Sequence, residues 1–224
     1  MNFEIKNNNK IENSFEDISK QFSRMLSFYF SNEMLKKLEK ARVIIIGCGG
    51  LGSNIASILV RSGIKYITLV DYDTVDLSNL NRQNYNIEDL GKMKTDALKE
   101  NLIKINKEIC VNVLNLKVDD LNIEEILSTH NIVVEAVDNE RTKSLIFNKA
   151  CELGKYIVSA SGVAGFGNCE EIKIKRGRNF SIVGDFKTSI KDEKPLASKV
   201  CAIASIQADE ILRLVRDDEL HLFK

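Results

Sequence analysis

The sequence predicts an α/β fold, a mostly parallel sheet with helices on both faces. Two observations predict it. Short apolar, β-branched runs alternate with stretches of helical period along most of the chain. The first strong run, "RVIIIG", passes directly into glycines and then into a helical pattern. Repeated strand-to-helix units imply right-handed crossovers, which lay successive strands parallel and place the helices outside.

The elements follow in order. Residues from about Ser14 to Lys40 read as helical, because "FEDISKQFSRML" and "NEMLKKLEKA" repeat apolar residues every three or four positions. "RVIIIG" is too short and too β-branched for a helix, and its unbroken apolarity suits a strand buried on both faces. "GLGSNIASILVRSG" reads as a helix ended by Gly63. "KYITLVD" is a second strand, "GKMKTDALKENLIKIN" an amphipathic helix, and "CVNVLNLKV" an alternating strand. A short helix around "NIEEILST" precedes the strand "NIVVEAV"; "NERTKSLIFNKACELG" is helical and "KYIVSAS" is a strand. After Gly162 the rhythm changes. "NCEEIKIKRG" reads as a strand after a glycine-rich turn, antiparallel to the rest. Residues from about Arg178 to Leu196 are polar, carry the chain's only proline, and read as a mobile loop or crossover. In it Lys187, Lys191 and Lys194 mix with Asp185, Asp192 and Glu193, which suits a solvated loop or a guide for a substrate tail. "SKVCAIASIQADEILRLV" closes the chain as a long helix. No repeat, low-complexity tract or linker divides the sequence. The expected organisation is one domain over 1–224: a helical segment (1–40), a nucleotide-binding core (41–162) and an extension of strand, crossover loop and helix (163–224).

Composition bounds the function. With 224 residues, 44% of them apolar, the chain can bury a sizeable core. Its 32 basic residues balance 32 acidic ones, which argues against a broad nucleic-acid-binding face. No apolar run approaches the roughly 20 residues needed to span a bilayer. The start, "MNFEIKNNNK", lacks the apolar stretch of a secretory signal. These features read as a soluble, cytoplasmic protein. Cys48, Cys110, Cys151, Cys169 and Cys201 are scattered and form no CxxC pair, so no zinc site is expected and each reads as a buried, reduced thiol.

The stretch "VIIIGCGGLGSN" carries the first chemistry. A helix that begins after a strand and a glycine turn offers unpaired backbone N–H groups and a favourable dipole to phosphate. In this Rossmann-like arrangement Gly47 makes the sharp turn, Gly49 and Gly50 remove side chains where the nucleotide approaches, and Gly52 lets the helix pack on the sheet. Asp71 ends the second strand, where an acid can accept the ribose hydroxyls. To this point NAD and ATP fit equally.

The next residues separate them. In "DYDTVDLSNLNRQ", Asn79, Arg82 and Gln83 put a cation and amide donors where a triphosphate would run, and arginine's planar fork suits phosphate oxygens. Lys94 begins the following helix and can reach the β- or γ-phosphate as a point charge. Asp138 follows "NIVVEAV" at the C-terminal end of a buried strand, the ligand-binding edge of an open α/β sheet. A carboxylate facing phosphate requires an intervening cation, so Asp138 reads as a Mg²⁺ ligand with Asn139 as a polar contact. Taken singly, Arg82 also reads as a surface residue, Lys94 as a solvated helix charge and Asp138 as a helix cap.

The consecutive stretches "GCGGLGSN", "LVDYDTVDLSNLNRQ", "LGKMK" and "AVDN" resemble the motifs of the ubiquitin-activating-enzyme superfamily, more narrowly its bacterial ThiF/MoeB/HesA branch. The short length and missing zinc cysteines look most like compact ThiF-type adenylyltransferases of thiamine biosynthesis. The resemblance implies an enzyme that binds ATP and Mg²⁺ and activates the C-terminal Gly-Gly tail of a small ubiquitin-fold sulfur carrier as an acyl-adenylate. It assigns Gly47, Gly49, Gly50 and Gly52 to the nucleotide and Asp71 to the ribose. Asp73 joins the nucleotide-binding set, Asn79, Arg82 and Lys94 the phosphates, and Asp138 the magnesium. It further implies a homodimer in which Arg24 of one protomer reaches the ATP of the other, and a separate sulfur donor. No nucleic acid or membrane partner is expected. The expected crossover segment contains no cysteine and Cys201 beyond it reads as core, so no covalent cysteine intermediate is expected. The histidines, His130 and His221, lie away from every motif.

Overall fold

The computed structural model describes residues 18–219; His221, the residues before 18 and those after 219 lie outside this range, as does the first part of the expected N-terminal helical segment. The elements run α1 (Ile18–Leu26), α2 (Asn32–Lys40), β1 (Arg42–Ile46), α3 (Gly50–Arg61), β2 (Tyr66–Val70), α4 (Lys94–Ile105), β3 (Cys110–Leu114), α5 (Ile123–Ser128), β4 (Ile132–Glu135), α6 (Glu140–Glu152), β5 (Tyr156–Ala160), β6 (Lys173–Arg176), β7 (Phe180–Gly184) and α7 (Ala197–Arg216). The expected N-terminal helical stretch is thus two helices, and Ser31 restarts the second by accepting a hydrogen bond from the N–H of Met34.

One seven-stranded sheet has the order β3-β2-β1-β4-β5-β7-β6, parallel except for β6 against β7. β1 alternates its side chains between two cores. Val43 and Ile45 pack with α3, α4 and α7, whereas Ile44 and Ile46 pack with α5 and α6. Burial on both faces is why this strand is apolar without interruption. The strand order reverses between β1 and β4, so the C-terminal ends of these two strands open a crevice.

The expected loop from Arg178 to Leu196 contains β7, which pairs parallel with β5 and antiparallel with β6. Its signal is weak because a polar residue sits inside the sheet: Ser181 is fully buried and hydrogen-bonds Tyr156 and Glu210. The same segment corrects the reading of a solvated charged loop. Asp185 is buried and paired with Lys199, which is itself fully buried on α7. Burial alone would raise the Asp185 carboxyl, but the Lys199 ammonium, the N–H groups of Lys187 and Thr188 and the Thr188 hydroxyl outweigh it and hold the acid well below its ordinary range.

Of the cysteines, only Cys48 meets the expectation of full burial. Cys48 is buried, Cys151 and Cys201 are half-buried, and Cys110 and Cys169 are exposed. No helix among the described residues is long and apolar enough to cross a membrane.

Candidate functional site

The crevice at the reversal of strand order is a cleft of about 1590 Å³. Gly47 forms its floor with φ +96°, and a Cβ there would lie 2.6 Å from the carbonyl oxygen of Ala136 on the neighbouring connection. Gly52 allows the closest approach of helix to strand. A Cβ at this position would overlap the Gly47 carbonyl and press to 3.0 Å from Ile45. Gly52→Ala is therefore expected to destabilise the protein by about 1–3 kcal/mol through overpacking, measured by urea unfolding. Gly49 lines the cleft, and a Cβ there would meet only the Gln83 side chain, at ordinary contact distance. Gly50 differs, because its near neighbours are Val200 of α7 and Arg82, so the protein itself closes over it.

No side chain caps α3, whose first turn opens on the cleft. Its uncompensated N–H groups and positive dipole end suit an anion. Two α3 residues tether the cationic segment beside it. The Ser53 hydroxyl accepts from the N–H of Asn84 (3.0 Å), and the Asn54 amide donates to the carbonyl of Arg82 (3.0 Å).

Arg82 lines the cleft. Its Nη1 donates to the carbonyl of Ser78 (3.0 Å) and to Asn81 Oδ1 (2.7 Å), which leaves the Nε and Nη2 protons for a ligand. Gln83 is buried at the cleft wall with Oε1 unpaired, and its Nε2 lies 3.8 Å from a Cβ position on Gly49. Lys94 is buried at the first position of α4, and its ammonium donates to Asp73 at 2.9 Å. Asn79 stands apart. Its side chain accepts from the N–H of Asp76 in a capping box, and Ser78 and Asn81 line the cleft in its place.

Asp71 is buried rather than solvent-facing. Oδ2 accepts from the N–H of Cys48 (2.6 Å), and Oδ1 from those of Tyr72 (2.7 Å) and Asp73 (2.9 Å). This carboxylate therefore fastens the glycine loop to the end of β2 and keeps limited lone-pair capacity for a ribose. Burial, and then the charge of Asp71, push the Cys48 thiol well up, so it stays protonated and unreactive. The Tyr85 hydroxyl, likewise raised by burial, donates to the carbonyl of Cys48 at 2.7 Å, with that of Lys94 at 3.1 Å.

Asp138 lines the same cleft and is exposed, with no hydrogen bond or ion pair among the described residues. It is not the cap of α6. That role falls to Asn139, which accepts from the N–H of Thr142 at 3.0 Å. Arg24 sits on the exposed surface of α1, away from the cleft of its own chain. Lys187 and Lys191 pair with Glu171 and Glu140, and only Lys194 of that trio lines the cleft. Among the described residues no group of three or more His, Cys, Asp or Glu is placed to hold a metal ion by itself.

Two features of this region escaped the sequence reading. Glu135 is fully buried at the end of β4, and Lys143 on α6 reaches it from the cleft wall. An acid inside the apolar run "NIVVEAV" is the signal that marked it.

An uncapped helix start, an arginine, a buried lysine and an exposed carboxylate thus surround one crevice of an α/β protein with Rossmann-like topology. The chain belongs to the ThiF family, whose profile matches residues 22–223. It is 38% identical over 128 residues to the adenylyltransferase and sulfurtransferase UBA4 of Candida glabrata, a match covering 57% of this chain and 30% of that protein. It is 31% identical over 176 residues to the tRNA threonylcarbamoyladenosine dehydratase of Haemophilus influenzae, covering 78% of this chain and 63% of that one. The chain thus spans less than two thirds of the length of either relative. The crystal structure of the E. coli dehydratase TcdA shares the fold with a TM-score of 0.82 at 19% identity, over 90% of this chain and 97% of that one.

Proposed function

We propose that this chain is an ATP-dependent adenylyltransferase acting on the C-terminal glycine carboxylate of a small ubiquitin-fold sulfur carrier, of the ThiS-like kind that serves thiamine biosynthesis. One observation carries this reading. Arg82, Lys94, the uncapped start of α3 and Asp138, whose side chain makes no hydrogen bond or ion pair among the described residues, line the same cleft. The cleft exceeds the ~300–1,000 Å³ of an ordinary small-molecule pocket, which supports two substrates meeting there.

The carrier carboxylate attacks the α-phosphorus of ATP. A new P–O bond forms, the α–β anhydride bond breaks, and pyrophosphate leaves with the electron pair. No general base is needed, because a carboxylate is already ionised at neutral pH. The protein's task is to bring two anions together and to offset charge on the phosphates. Arg82 and the α3 N-terminus hold phosphate oxygens. Lys94 exchanges its partner Asp73 for phosphate. Asp138 fits a magnesium ion, since Mg²⁺ is usually held by one or two carboxylates together with substrate phosphates and water. When bound, that ion supplies charge neutralisation of the leaving pyrophosphate. In this reading two copies pair so that Arg24 of one protomer reaches the other's ATP, and a separate protein delivers sulfur to the adenylate.

The UBA4 relative, named an adenylyltransferase and sulfurtransferase, supports the chemistry. A second acceptor has its own support. The Haemophilus influenzae relative, 31% identical over 176 residues, is named for threonylcarbamoyladenosine in tRNA. Balanced charge on the present chain disfavours a polyanionic partner. Exchange of labelled pyrophosphate into ATP discriminates between them. Exchange is expected to depend on a carrier ending in Gly-Gly, and to vanish when that tail is amidated. Exchange driven by modified tRNA and not by any carrier would replace the first acceptor with the second.

A further inference from the structure

We propose that Glu135 is a positioning residue that fixes the turn between β4 and α6 so that Asp138 projects into the cleft as a magnesium ligand. The inference rests on the reading of Asp138 given above. Glu135 is an acid with no solvent exposure. Such a group is retained without a large cost only if its lone pairs are satisfied. Here Oε1 accepts from the backbone N–H of Val137 at 2.9 Å. Oε2 accepts from the Lys143 ammonium and from the Ser159 hydroxyl, each at 2.5 Å. The ammonium donates further to the carbonyl of Ala160 at 3.1 Å. One carboxylate therefore joins the end of β4, the first turns of α6 and the end of β5.

The consequence falls on the residue after Val137. The Asp138 side chain makes no hydrogen bond or ion pair among the described residues. Its backbone is fixed from both sides, by the Val137 N–H bound to Glu135 and by the Asn139 cap on Thr142. A lone metal ligand on a free turn would pay ordering entropy each time the ion binds. A turn already held by a buried acceptor does not. Groups that orient a ligand in this way typically change metal affinity by about 10–100-fold.

The experiment measures ATP affinity by calorimetry in EDTA and in saturating MgCl₂, and reads the ratio of the two. In the wild type the ratio is expected to favour Mg²⁺, and Asp138→Ala is expected to abolish that preference. Failure of either result overturns the reading of Asp138, separately from the present proposal. With both results in hand, Glu135→Gln is expected to cut the Mg²⁺ preference by about 10–100-fold. A folded Glu135→Gln protein with the wild-type ratio overturns the proposal. Should this variant not fold, Glu135→Met combined with Lys143→Met removes both charges together, so that neither is left unpaired, and the same ratio decides. Amide exchange of the wild type gives an answer that needs no variant. The Val137 N–H is expected to be protected, and exchange at the rate of a free peptide would refute its capture by Glu135.

Discussion

Asp138→Ala is expected to lower acceptor-dependent ATP–pyrophosphate exchange by about 10²–10³-fold, the usual effect of deleting one preorganised electrostatic group from a transition state. Stability should scarcely change. The side chain is exposed and bonds to nothing among the described residues. Substitutions at such positions typically stay within about 0.5 kcal/mol. The helix that follows is unaffected, since Asn139 is its cap. This separation of activity from stability makes the variant informative. Pyrophosphate exchange and thermal unfolding measured on the same preparation should diverge. Wild-type exchange in Asp138→Ala would remove this residue from the mechanism.

Lys199→Met is expected to destabilise the protein by about 3–5 kcal/mol, because it strands the Asp185 charge in the interior. The lysine and the acid are each without solvent exposure and lie 2.5 Å apart. The ammonium also donates to the carbonyl of Ala164 at 2.7 Å. The pair thereby fastens the segment after β7 to the turn after β5, and that segment supplies Thr188, Ser189, Ile190 and Lys194 to the cleft wall. Adding Asp185→Asn to Lys199→Met should recover part of the loss. Asparagine keeps an acceptor for the N–H groups of Lys187 and Thr188, which now bind Oδ1 at 2.8 and 2.9 Å, and it carries no charge. Urea unfolding of the two variants tests this. Equal stability of the single variant and the wild type would mean that the pair does not hold the loop. The pH dependence has a definite sign. The folded carboxyl lies below its unfolded value, so its stabilising effect is complete above about pH 4 and is lost as the pH falls below that point. The gap between wild type and Lys199→Met should therefore narrow in acid.

Much of the site was legible before any coordinates. The spacing of Gly47, Gly49, Gly50 and Gly52 between a buried strand and a helix marked a candidate anion site, and Gly47, Gly49, Gly50, Arg82, Lys94 and Asp138 line the same cleft. Asn79 read as a phosphate contact, whereas its side chain serves its own turn in a capping box with Asp76. A side chain of this kind serves a local backbone N–H or a distant ligand equally well, and composition does not say which. Asp71 presents the same ambiguity, as its oxygens bind three backbone N–H groups in the fold.

By itself the sequence determined the alternation of strands and helices, the glycine turn and the charges gathered at one edge of the sheet. These are encoded in neighbouring residues, through periods of two and 3.6 and through the conformational freedom of glycine. Tertiary structure alone decided the pairing of Glu135 with Lys143 and Ser159, of Asp185 with Lys199, and the insertion of β7 beside β5. In each case a polar group is buried because a partner far along the chain meets it. The free energy of that meeting depends on geometry and dielectric, and neither is written in the residues nearby.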